Sequence, residues 1–246
     1  MKKAKSEKTS QFEKAQLRLR FLIMNGEFKP NSRLAEVAIS KRLGISRTPL
    51  RQAMSRLAEE GLLQRLETGG FRVAAFTMDD IIDAIEIRGV LEGTAARLAA
   101  ERGPDPALMD ECRDTLTALD QAAGAGGEID FAAYVRANAR FHVILRGLSG
   151  SRVVCREVER AVSLPLASPS AFLQGQETVP DFRASLVIAQ AQHRAIFDAI
   201  KHGEGARAEA LCREHARLAR QNLDHVLHVK PSLAERVPGM ALVLAG

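Results

Sequence analysis

Leu34–Ala75 reads LAEVAISKRLGISRTPLRQAMSRLAEEGLLQRLETGGFRVAA, and its punctuation divides it into helix, turn, helix and hairpin. Apolar residues recur at helical spacing from about Leu34 to Leu43, and Gly44 stops that helix. After the short Gly44-Ile45 turn, Ser46 is a suitable N-cap. Pro49 then falls in the first turn of the next helix, where a missing N–H costs little. That helix carries Leu50, Ala53, Met54 and Leu57 on one face and runs to about Glu60, before Gly61. Residues 62–66 and 71–75 form two short strands around Thr68-Gly69-Gly70, a hairpin tip. Upstream, Phe12, Ala15, Leu19, Leu22 and Ile23 predict a helix over 11–25, closed by Asn25-Gly26, and Pro30-Asn31 marks a loop. Three helices followed by a basic hairpin are the layout of a winged helix-turn-helix.

Charge supports a polyanion as partner. Residues 1–76 hold 16 Lys and Arg against 7 Glu and no Asp, a net +9, while the rest of this +5 chain carries −4. Lys2, Lys3, Lys5 and Lys8 make residues 1–10 a basic disordered tail, yet 11–76 without them is still +6. In a winged helix the third helix enters the major groove of double-stranded DNA N-terminus first. Ser46, Arg47, Thr48 and Arg51 are the polar residues at that end. Arginine grips a guanine edge through two bonds, and hydroxyls with free helix N–H groups hold phosphate. A lone arginine is more often a solvated surface charge; four polar residues at one helix start in a basic segment favour DNA. Gly69 and Gly70 allow the wing backbone close to the duplex.

Composition removes other classes. With 4% aromatic residues, no Trp and one Tyr, the chain lacks a stacking platform for single strands. No apolar run approaches the roughly 18 residues of a membrane span, and the first thirty residues show no secretion signal. Cys112, Cys155 and Cys212 are odd in number and far apart, which fits a reducing cytoplasm.

From Thr77 to about 229 the pattern is helical throughout, with segments at 78–101, 105–122, 128–148, 151–163, 181–201 and 204–229. Residues 164–180, with three prolines, predict a loop or broken helix, and 230–246 a tail. At 100° per residue the apolar arcs contain polar residues. Arg88 and Glu92 lie among Ile81, Ile85, Leu91 and Ala95. Asn138 and His142, one turn apart, lie in the arc that holds Phe131, Tyr134, Phe141 and Leu145. His193 shares a face with Ile196 and Phe197, and His215 one with Leu211 and Leu218, with Asn222 two turns on. Burying these groups without partners costs several kcal/mol, on the order of 1–3 each, so the interior should hold a polar cavity. One such histidine is usually a satisfied core residue. Three, with an asparagine, on separate helices suggest a site for a divalent ion such as Zn or Ni. His202, His225 and His228 lack that placement and read as surface residues. Arg88, Glu92, Tyr134 and Asn222 are the candidate effector-binding residues.

The stretch IMNGEFKPNSRLAEVAISKRLGISRTPLRQAMSRLAEEGLLQRLETGGFRV resembles the DNA-binding domain of GntR-type transcriptional regulators. The resemblance implies operator contacts by Arg47, Thr48, Arg51 and the wing glycines, with Arg33 on phosphate. Asn31 stands where the family has Gly after Pro30; Asn tolerates a left-handed conformation, so the turn should survive. IRGVLEGTAARLAAE, NARFHVIL and HRAIFDAIKHGEGARAEALCREH are similar to the FCD-type effector domain of the FadR branch, and AIEIRGVLEG to its vanillate-responsive VanR type. That implies a metal site at Asn138, His142, His193 and His215. Asn138 replaces the usual Asp, which weakens metal binding and raises the importance of an anionic effector. It also implies a carboxylate, an aromatic acid in the VanR type, held beside the metal with help from Arg88.

The expectation is a mainly α protein. A winged helix-turn-helix domain (11–76) precedes an all-α, FCD-type helical-bundle domain for effector binding and dimerisation (77–229). It should act in the cytoplasm as a homodimeric, ligand-responsive repressor on a palindromic operator. The alternatives are a metal-dependent enzyme with a DNA-binding appendage, which lacks an identifiable general base apart from Glu92, and an architectural DNA binder with a solid second domain.

Overall fold

The computed structural model describes residues 10–124, 128–164, 166–171, 182–228 and 237–244, with the side chains of 182 and 225–228 excepted. They form two compact units, one running through Met78 and resuming at Pro238, the other within Asp79–Val237.

In the first unit, α1 (Gln11–Met24) opens on a capping box. Ser10 accepts from the Glu13 N–H, and the Glu13 carboxylate accepts from the Ser10 N–H. Ser10, expected within the basic tail, is thus part of the helix start; residues 1–9 of that tail lie outside the described residues. Ala15, Leu19 and Ile23 bury one stripe. α2 (Glu36–Leu43) ends on Gly44 at φ +64°, and α3 (Arg47–Glu59) buries Leu50, Ala53, Met54 and Leu57. Strands β1 (Leu63–Arg65) and β2 (Phe71–Val73) pair antiparallel, Leu63 opposite Val73 and Arg65 opposite Phe71. Their tip turns on Gly69 and Gly70 at φ +83° and +85°, a region costly for any residue with a Cβ. Asn31 does adopt φ +62°, and its N–H donates to the Val73 carbonyl.

The expected C-terminal tail contributes to this unit. Residues 238–244 carry a 3₁₀ turn, Met240–Leu242, and Leu242 is buried in the core with Leu19, Leu50 and Val73. The Gly239 N–H donates to Met24 O, and Phe76 bridges Val243. This segment has no helical or alternating period, so its role was invisible in the sequence.

The second unit is built from six described helices: α4 (Met78–Arg102), α5 (Pro106–Ala122), α6 (Phe131–Leu148), α7 (Arg152–Val162), α8 (Phe182–Lys201) and α9 (Gly205–His228). Asp105, Asp130 and Ser151 cap α5, α6 and α7 through their side chains. Residues 166–171, within the predicted loop, are turns; 165 and 172–181 lie outside the described residues. Two glycines set the approach of α4 to α9. A Cβ on Gly89 would sit 2.8 Å from the Ala216 Cβ, and one on Gly93 3.0 Å from Glu209 O. That contact brings Arg88 and Glu92 against the α9 face bearing His215.

Candidate functional site

In the first unit, Ser46, Arg47, Thr48 and Arg51 are exposed at the start of α3. Ser46 occupies the N-cap position, but its hydroxyl makes no capping bond. Arg47 and Arg51 both face Glu36, at 3.7 and 3.1 Å. Glu36, absent from the residues singled out in the sequence, thus holds both arginines beside the open helix end. Arg33 donates to Gly69 O at 3.0 Å, and its backbone bridges Arg72 beyond β2. The arginine is thereby tied to the wing tip.

In the second unit, His142 from α6, His193 from α8 and His215 from α9 converge. Their ligand nitrogens all lie within 4.8 Å of one another, and all three residues are buried. Each Nδ1 has an oxygen partner: Glu92 Oε1 at 2.8 Å for His142, Gln190 Oε1 at 3.1 Å for His193, and Gln192 Oε1 at 3.0 Å for His215. The Gln190 amide is oriented without ambiguity, because its Nε2 donates to Leu116 O and to Asp120 Oδ1. Its oxygen must therefore face His193, whose Nδ1 carries the proton. The His193 Nε2 lone pair therefore faces inward, toward His215.

Among the described residues, protein satisfies only part of that inward face. His193 Nε2 and His215 Nε2 stand 3.0 Å apart, and His142 Nε2 has no hydrogen-bond partner. A neutral His215 with its proton on Nε2 donates to His193 Nε2, whereas a further proton is disfavoured: burial, reinforced by the neighbouring imidazoles, pushes His193 well below its ordinary range. It takes His215 down to about 3. A divalent cation would complement all three inward nitrogens at once. Nitrogens about 2.0–2.1 Å from a tetrahedral ion stand roughly 3.3 Å apart, so these three fit one after a small contraction. A carboxylate or amide oxygen behind each imidazole is also the usual support of a metal-binding histidine.

Glu92, grouped in the sequence with the effector residues, is instead engaged behind His142 and 3.9 Å from Arg88 Nε. Burial alone would raise its pKa; His142 and then Arg88 outweigh that and hold it at about 2. Arg88 is 2% exposed and donates to Ala216 O at 3.4 Å, but its Nε has no hydrogen-bond partner. The buried Tyr134 hydroxyl has none either. Both line one narrow cavity that opens to solvent, together with Asn138, His215 and Asn222. The Asn138 amide N–H group donates to Ser170 Oγ at 3.1 Å and Pro169 O at 3.4 Å, so its nitrogen is committed to the 166–171 turns. Asn222 accepts from the Ser185 hydroxyl at 3.1 Å.

Of the histidines expected at the surface, His202 is exposed, with its ring nitrogen 2.8 Å from Asp198 O. The side chains of His225 and His228 lie outside the described ones. All three cysteines are free. Sequence reasoning missed Gln190, Gln192 and Ser185. The two glutamines sit three and one residues before His193, a proximity that was the available signal.

Comparison with known proteins agrees with both units. The model for the gntR family of bacterial regulatory proteins matches residues 11–73, and that for the FCD domain matches 83–218. The chain is 31% identical over 199 residues to the "Probable D-xylose utilization operon transcriptional repressor" of Paenarthrobacter nicotinovorans, covering 78% of this chain and 80% of that protein. It is 27% identical over 198 residues to the HTH-type transcriptional repressor GlaR of Escherichia coli (strain K12), covering 78% and 86%. Among solved structures it shares its fold with E. coli McbR/YncC, at TM-score 0.60 and 22% identity, covering 90% of this chain and 99% of that one. No helix among the described residues is long and apolar enough to cross a membrane. The matched families are regulators, so the enzyme alternative has no support. The chain belongs to the GntR family of bacterial transcriptional regulators, with an N-terminal winged helix-turn-helix and an all-helical FCD domain.

Proposed function

We propose that this regulator is a cytoplasmic repressor that binds a palindromic operator as a homodimer and releases it when a small carboxylate enters a metal-associated cavity. The observation that carries the ligand half is one buried place that gathers three converging imidazoles with three polar atoms lacking a hydrogen-bond partner among the described residues: His142 Nε2, Arg88 Nε and the Tyr134 hydroxyl. His142, His193 and His215 would hold a divalent ion such as Zn or Ni, which supplies a Lewis-acid anchor for an anion. Because Asn138 is neutral where the family has Asp, the ligand set brings no negative charge of its own, which favours an anionic guest. Arg88 and Tyr134 donate to that guest, and the apolar walls exclude water. The VanR-type resemblance points to an aromatic acid.

For the DNA half, Arg47, Thr48, Arg51 and the Ser46 hydroxyl would enter the major groove, with Arg33, Gly69 and Gly70 following the backbone. Two half-sites require two copies, hence a dimer on a palindrome. Control is linkage: an acid that favours one arrangement of the reading heads changes DNA affinity by the same factor that DNA changes acid affinity. The test is elemental analysis of purified protein, followed by operator binding with a panel of small organic acids, with and without EDTA. Acid-dependent release that EDTA and His193→Ala both abolish is the expected result. Metal-free protein whose His193→Ala variant responds normally would remove the metal from the scheme.

A further inference from the structure

α8 and α9 are joined by a short turn and run antiparallel, so their facing residues come in layers. In one layer His193 Nε2 meets His215 Nε2. In another the Ser185 hydroxyl donates to Asn222 Oδ1. Residues 185 to 193 and 215 to 222 each span about two helical turns, roughly 11 Å of axis. His215, Ser185 and Asn222 all line the same cavity, with Leu186 and Leu218 among its apolar walls. One space therefore passes a histidine end and a serine–asparagine end.

The two ends differ in chemistry. Arg88 is the permanent cation among the described residues lining the cavity, and it belongs with the histidine layer through Ala216, the neighbour of His215. The Ser185–Asn222 pair is uncharged. With the serine proton given to Asn222 Oδ1, the pair still offers lone pairs on Ser185 Oγ and two protons on Asn222 Nδ2. A hydroxyl, donor and acceptor at once, matches that offer. A second carboxylate there would be desolvated against leucines with no cation to meet it. Allowing a contact of about 3 Å at each end of an 11 Å track leaves roughly 5 Å between the guest's polar groups.

Building on the cavity as an anion site, we infer that its guest is a monocarboxylate with a compact apolar body and a neutral hydroxyl about 5 Å from the carboxylate. Ser185 and Asn222 are the residues that select for that hydroxyl. The test is calorimetric titration of the zinc-loaded full chain with two pairs, 4-hydroxybenzoate against benzoate and 4-hydroxybutanoate against butanoate, and with terephthalate. In at least one pair the hydroxylated acid binds about five- to tenfold tighter than its parent, and terephthalate binds more weakly than either. Ser185→Ala and Asn222→Leu each shrink the hydroxylated acid's advantage over its parent to less than about twofold, read as the ratio of the two affinities within one variant. Should a variant not fold, the wild-type pairs decide alone. Equal affinities within both pairs, or preference for terephthalate, overturn the selectivity and leave the anion site standing. Failure of all five acids to bind overturns both.

Discussion

Arg47 and Arg51 lie 62% exposed around Glu36, whereas Arg88 is 2% exposed beside Glu92. Each group is a guanidinium near a carboxylate, but solvent makes them different objects. Water stabilises both guanidinium groups, so each ion pair is worth on the order of 1 kcal/mol even though the Glu36 side chain is only 12% exposed, and a phosphate can take the place of Glu36 as the arginines' partner. Inside the second unit, burial lowers the Arg88 pKa against the pull of Glu92, and removal of a partner strands a charge. A surface cation can wait in water for its target. An interior one cannot, so its surroundings record what it is for.

The widest expected gap is between the two carboxylates. Glu92→Ala leaves His142 without its acceptor and Arg88 without its counter-charge, and should cost about 3–5 kcal/mol in denaturant unfolding. Glu36→Ala should cost less than about 1 kcal/mol. Similar losses at both positions would erase the distinction.

Acid should probe the same contrast more gently. His215 is held at about 3, mainly by burial and then by His142 and Arg88, against an ordinary 6.5. As pH falls below about 6.5 the unfolded chain takes the proton first. The stability present above that pH is therefore lost progressively toward 3. Glu92, held at about 2 from 4.5, adds loss in the same direction below 4.5. The sum should be a few kcal/mol, on the order of 1.4 for each tenfold change in proton affinity and less where the two groups interact. Urea midpoints of EDTA-treated protein between pH 7.5 and 4 measure it, and a flat profile would contradict the buried assignment.

The smallest effects belong to the reading head. Arg47→Ala and Arg51→Ala should each weaken operator binding by about 1–3 kcal/mol while leaving unfolding within about 0.5 kcal/mol of the parent. Quantitative mobility shifts and melts together check this. Unchanged affinity in both variants would move the DNA contacts elsewhere.

The elements of both units were legible because helices and hairpins write their period into the chain. Gly44, Ser46 and Gly61 mark the joints of the reading head, and the arcs around Arg88, His142, His193 and His215 expose polar residues where apolar ones are due. The partners behind those residues were not legible. Glu92 was visible as buried, but that it holds His142 depends on how α4 packs on α6, which no local pattern encodes. Gln190 supports His193 because Leu116 O and Asp120 occupy its amide nitrogen from another helix. Glu36 carries no periodic signal that sets it apart, and only the path of α3 brings both arginines to it.

Leu242 seats in the core of the first unit, fully buried, although the whole of the second unit separates it in the chain from the helices it touches. A leucine side chain fully withdrawn from water contributes about 1.5–3 kcal/mol. During synthesis the reading head must therefore wait for the ribosome to finish the sensor before its last wall is in place. A fragment cut after the wing would lack that wall, and a fusion partner appended near residue 244 would be tethered to the DNA-reading unit rather than to the sensor.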